Sequence, residues 1–183
     1  CPKAIICADS FHVLQHLTKD FNAVRLKCRR ETADPVLAYL LIKFRFVLNH
    51  NVVLDNKARY NRRLKRYINL RGIQTLLFSH FPELKKAYEL KEVYITFNET
   101  ASFENAERQL DALLLKFADS QIREYDEFYT VLSNWKQEIV NSFIIVHGRR
   151  INNSHIESKN RQVQRLLDNA NGFRNFKRTR NRI

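Results

Sequence analysis

Apolar residues recur along this chain at a few characteristic spacings, and each spacing predicts an element. Lys3-Ala4-Ile5-Ile6-Cys7-Ala8 is a nearly continuous apolar run that stops at Asp9, which predicts a short buried strand. After it Phe11, Leu14, Leu17, Phe21, Val24 and Cys28 return every three or four residues, one stripe of an amphipathic helix. Asp34-Pro35 then interrupts, because the residue before proline avoids helical dihedrals and proline suits a first helical turn; a helix over about 36–48 follows. Tyr60, Leu64, Tyr67 and Ile68 mark the apolar side of a further helix whose other positions are largely Lys and Arg. Beyond Gly72 the pattern predicts a short helix over 73–78, one from Pro82 to about 98, and one over about 102–118.

Tyr125, Phe128, Leu132, Trp135, Ile139, Phe143 and Val146 hold helical spacing without a break, which predicts one long helix as the spine of the core, with Trp135 buried in it. Projected at 100° per residue, the last helix places Ile156, Val163, Leu166, Leu167 and Ala170 on a packing side. Glu157, Asn160, Arg161, Gln164 and Arg165 gather on another. No internal repeat and no low-complexity linker divides the chain.

Composition narrows the class. Three Gly and three Pro in 183 residues lie well below the usual ~7% and ~5%, which removes most tight-turn residues and predicts a mainly α fold. The 44% hydrophobic content is enough for a packed core. No apolar run approaches the ~20 residues a membrane helix needs, so a membrane partner is not expected. Cys1, Cys7 and Cys28 fit neither a disulfide framework nor a zinc ribbon, and the simplest setting is a reducing cytoplasm. Methionine is absent even from position 1, so the chain is expected to be a piece of something longer.

Charge changes the picture more. The net charge is +13, and Arg149 to Ile183 carries ten Lys+Arg against two Asp+Glu. A second cluster, Lys57, Arg59, Arg62, Arg63, Lys65, Arg66 and Arg71, lies in a stretch with no acid between Asp55 and Glu83. A solvated helix face accounts for one such cluster; two of them point to a polyanion, with Arg62, Arg63, Lys65 and Arg66 as candidate DNA contacts.

Within the C-terminal basic field one acid, Glu157, sits in Asn152-Asn153-Ser154-His155-Ile156-Glu157-Ser158-Lys159-Asn160-Arg161. A carboxylate opposes a polyanion unless a cation lies between them, and a divalent metal is the usual intermediary in phosphoryl transfer. Ser154-x-x-Glu157 also fits a capping box, a purely local role. Asp9, His12 and His16 form a second constellation, for which a helix cap by Asp9 or Ser10 competes with a metal site.

Ala8-Asp9-Ser10-Phe11-His12-Val13, the run Asn153 to Asn160 and Gly172-Phe173-Arg174-Asn175-Phe176, together with Tyr88-Glu89-Leu90-Lys91 and a Trp135-to-Ile139 helix, resemble the catalytic domain of DDE transposases of the ISL3 insertion-sequence family. The resemblance runs in order along essentially the whole chain. It implies a ribonuclease-H-like fold, with 1–9 the last strand of the catalytic core, 10–150 a large helical insertion lobe, and 151–183 the catalytic-glutamate helix with a basic tail. It implies Glu157 as the third acid of the triad and a metal ligand, the two aspartates lying upstream, and Asp9 and His12 as support beside the active site. Two Mg²⁺ ions would serve phosphoryl transfer, a chemistry this chain alone is not expected to complete.

The same resemblance implies Arg149, Arg150, Lys159, Asn160, Arg161, Arg165, Arg174, Lys177 and Arg178 as contacts to transposon ends and target DNA, a homo-oligomer as one arrangement, and a bacterial, nucleoid-associated setting. The sequence departs from the family pattern at Ser158, Gln164 and Asp168. A non-catalytic basic DNA-binding protein or transposase remnant, and a structural helical domain that binds protein, are the alternatives that composition leaves open.

Overall fold

The computed structural model describes residues 4–150 and 154–169, with side chains described at 4–150 and 158–165. The described residues are mainly helical, with two small two-stranded sheets. The chain forms two compact units, residues 1–144 and residues 145–183.

In the first unit, local chemistry starts the helices. Asp9 accepts a hydrogen bond from the Phe11 N–H and opens α1, Ser10–Glu31. Asp34 does the same for Val36 and Leu37 at α2, Pro35–Lys43, with Pro35 in the first turn. Asn69 caps α3, Leu70–His80, through the Gly72 N–H, and Pro82 opens α4, Pro82–Thr100. Ser102 and Asn105 form a capping box at α5, Phe103–Ala118. Helices α6, Asp126–Asn134, and α7, Lys136–Asn141, complete the unit.

α1 packs on α2, α4 and α6, while α5 bridges α4, α6 and α7. The buried stripe Val13, Leu17, Phe21, Val24 and Cys28 meets Leu84, Ala87, Tyr94 and Phe97 in one core. Phe128 lies at its centre, with ring centroids 5.1 Å from both Tyr94 and Phe117. Buried polar groups tie the helices together. Arg25 donates to the Leu41 carbonyl, and the Tyr125 hydroxyl donates to that of Ala87. Asp20, 3% exposed, accepts from the Phe128 N–H at 3.1 Å and so caps the start of α6 from α1. Asp20→Ala leaves that N–H unpaired and is expected to cost about 1–3 kcal/mol in urea unfolding; an unchanged midpoint contradicts the cap.

Four sequence expectations are corrected. The segment 4–9 is not a strand. A strand needs a neighbour to complete its backbone hydrogen bonds, and this segment instead docks on α7. There Ala8 N–H donates to Glu138 O at 2.8 Å, and Asn141 Nδ2 donates to Ile6 O at 2.9 Å. Ile5 and Ile6 remain exposed. No ribonuclease-H-like sheet is present among the described residues.

The helix expected over 36–48 stops at Lys43, and a 3-10 turn, Arg45–Leu48, buries Val47 and Leu48. The basic helix around Tyr60 to Ile68 is a β-hairpin, because Asn61 turns the chain. The long helix from Tyr125 to Val146 is broken at Trp135, whose dihedrals (φ −109°, ψ 21°) let α7 turn onto α5. Phe128, Leu132, Ile139 and Phe143 stay buried, but the bend leaves Trp135 51% exposed.

Among the described residues no helix is long and apolar enough to cross a membrane.

Candidate nucleic-acid interface

Two basic elements are built locally, one in each unit. The first is the hairpin β1, Arg59–Asn61, with β2, Arg66–Ile68, in the register Arg59↔Ile68, Tyr60↔Tyr67, Asn61↔Arg66. Its turn contains no glycine. Asn61 Oδ1 accepts from the Arg63 and Leu64 N–H groups at 3.0 and 3.1 Å, and Lys65 takes a left-handed φ of 51°. Leu64 and Ile68 pack against the core and anchor the hairpin.

Arg62, Arg63, Lys65 and Arg66, expected on a helix face, are thereby gathered around this turn. Arg63 lies 5.6 Å from the Tyr39 ring centroid, and Arg59 pairs with Asp55 at 3.4 Å. Arg62, Lys65 and Arg66 are exposed and form no ion pair with a described residue, so their charge is uncompensated. Tyr60 and Tyr67, read from spacing as the apolar side of a helix, face each other across the strands and are 54% and 73% exposed. Two tyrosines on either side of a turn-forming Asn61 were the sequence signal for this pairing, in which Tyr60 faces Tyr67.

The second unit carries β3, Ile145–Val146, and β4, Arg149–Arg150, joined by His147 and Gly148 at φ 51° and 75°. Positive φ at both central positions is the tight-hairpin geometry that suits the twist of antiparallel strands. Arg149 is exposed and Arg150 half-buried. α8, Ser154–Asn169, follows. Lys159, Asn160, Arg161 and Arg165 are exposed on it. Glu157 lies in its first turn, one helical turn before Arg161 and two before Arg165, and its side chain is outside the described residues. Arg174, Lys177 and Arg178 are outside them altogether.

Asp9 and His12 stand at the start of α1. The Asp9 carboxylate serves as a helix cap, His12 Nδ1 lies 3.2 Å from Gln15 Oε1, and His16 Nδ1 lies 3.9 Å from Glu127. This is the capping arrangement that competed with a metal site. Among the described residues no three His, Cys, Asp or Glu come together to hold a metal ion. The Glu157 carboxylate, the metal ligand that the resemblance implies, lies outside the described side chains. An open groove of about 1310 Å³ runs along α1 between Phe11, His16, Lys19, Arg25, Arg45 and Phe46. Its Lys19 is held by Glu127 at 2.9 Å, which compensates part of its charge.

Residues 1–183 match the family model of the DDE transposases of the ISL3 type. The chain belongs to this transposase family, whose members act in DNA transposition and typically use Mg²⁺. Comparison with curated proteins and with solved structures finds no match.

Proposed function

We propose that this chain acts in the cleavage and strand transfer of insertion-sequence ends. Residues 10–150 serve as the helical insertion of the catalytic domain, and 151–183 as the segment that brings in the third acid, Glu157. Family membership over the whole chain supports the reaction class, and the basic helix α8 around Glu157 is the observation that carries the site. A lone carboxylate among Lys159, Arg161 and Arg165 weakens the hold on a polyanion unless its charge has work to do there. The other two acids this chemistry needs are not assigned to positions of this sequence.

Lys and Arg of α8, with Arg149 and Arg150 and the hairpin cations, hold DNA by its phosphates. Such contacts fix position and carry little sequence information.

Salt dependence tests the DNA reading. Affinity for duplex DNA carrying an element end is expected to fall by ~10³-fold or more between 50 and 200 mM salt. Replacing Lys159, Arg161 and Arg165 together by Ala should flatten the slope of log K against log salt by about 3, one unit for each phosphate contact. A slope near zero in the unaltered chain contradicts DNA as the partner and favours a protein.

A further inference from the structure

We infer that the β1–β2 hairpin is a stacking platform for unpaired bases of a DNA strand, with Tyr67 and Tyr60 taking bases on their rings and Arg62, Lys65 and Arg66 holding the flanking phosphates. The first observation is exposure. Two tyrosines in contact, with ring centroids 5.3 Å apart and 54% and 73% of their surface in water, make an aromatic patch that the fold does not use. The second is charge. From Arg59 to Ile68 five of ten residues are cationic and none is acidic, and Arg62, Lys65 and Arg66 have no described acid to neutralise them.

The third is rigidity. Leu64 and Ile68 pack against the core and Asn61 fixes the turn, so the tyrosine pair is presented by an ordered element. A shallow cavity of about 540 Å³ continues from Tyr67 past Arg66, Asn69 and Arg71, within the ~300–1,000 Å³ typical of ligand pockets, and supplies space and cations beside the ring.

Charge complementarity commits the surface to a nucleic acid. The rings commit it to an unpaired strand, because an aromatic side chain stacks only on a base face that is not already stacked in a duplex. That the strand is DNA rests on the transposase reading, since cutting and joining ends leaves unpaired nucleotides beside the protein.

The test compares a short oligothymidylate with a duplex of equal length at one salt concentration, using fluorescence anisotropy and the full chain. Tyr67→Thr, which keeps β propensity, is expected to weaken single-strand binding about tenfold and duplex binding by less than about twofold. Tyr67→Phe should bind like the unaltered chain. Tyr60→Thr, on the facing strand, gives a second reading, and circular dichroism checks that each variant is folded. Single-strand affinity unchanged in both Thr variants, or both DNA forms losing equally, overturns the platform while leaving the duplex reading intact. If the unaltered chain binds neither form at low salt, the DNA reading itself fails and the platform with it.

Discussion

Lys91→Met is expected to cost the fold about 3 kcal/mol, because it removes one partner from a buried charged network and leaves the others in place. The Lys91 side chain is 5% exposed. Its ammonium donates to the Leu48 carbonyl at 2.8 Å and stands 2.7 Å from Glu92 Oε1. It also lies 4.5 and 5.0 Å from the ring centroids of Tyr88 and Phe21. Methionine keeps the length of the stem and loses the charge. Among the described residues the Leu48 carbonyl then loses its side-chain donor, and Glu92 keeps only His50, at 2.6 Å. Lys91→Met combined with Glu92→Gln should recover part of the loss, since no uncompensated charge remains.

The network also sets a pH dependence. Burial pushes the Glu92 carboxyl up, but the bonds from Lys91 and His50 outweigh it and hold the group below its ordinary value. A carboxyl with a lowered folded pKa contributes stability above its unfolded value and loses it as pH falls through the folded one. Without Lys91 the folded value rises, so acid unfolding should begin at higher pH. Urea titrations at neutral and acid pH measure both effects, and an unchanged midpoint at neutral pH contradicts the network.

How far the sequence reveals the fold depends on whether a pattern has one solution. The α1 stripe from Val13 to Cys28, the Asp34-Pro35 start and the Pro82 start are legible because cap and periodicity agree. The tyrosine hairpin was not, since Tyr60, Leu64 and Tyr67 fit a helical face as well as a hairpin. The choice was made by Asn61 turning the backbone without a glycine. The run through Trp135 kept its buried stripe but not its straightness, because periodicity does not report a local change of dihedrals. Ile5 and Ile6 were legible as an apolar run, but not as a segment that docks on α7 without a strand partner. Of the candidate site, the charge and the helix around Glu157 were legible. The exposed tyrosines were missed because an aromatic at helical spacing is read as core.

Glu157→Gln is the other large effect. Glutamine keeps the size and the polar end of the side chain and removes the negative charge. If Glu157 is the third acid of a phosphoryl-transfer site, DNA cleavage in Mg²⁺ by the protein that carries this chain should fall by on the order of 10³-fold or more, about 4 kcal/mol of transition-state stabilisation. DNA binding should move the opposite way. One negative charge fewer on a helix that also carries Lys159, Arg161 and Arg165 leaves affinity equal or higher. A capping residue alone would instead lose about 1 kcal/mol of stability and leave cleavage near its original rate. A non-catalytic remnant would bind DNA and show no cleavage to lose.

The decisive measurement is cleavage and binding on the same labelled element end, for the unaltered protein and Glu157→Gln side by side. Cleavage lost with binding kept or tightened is the result expected of a third catalytic acid. Cleavage that survives the change contradicts it.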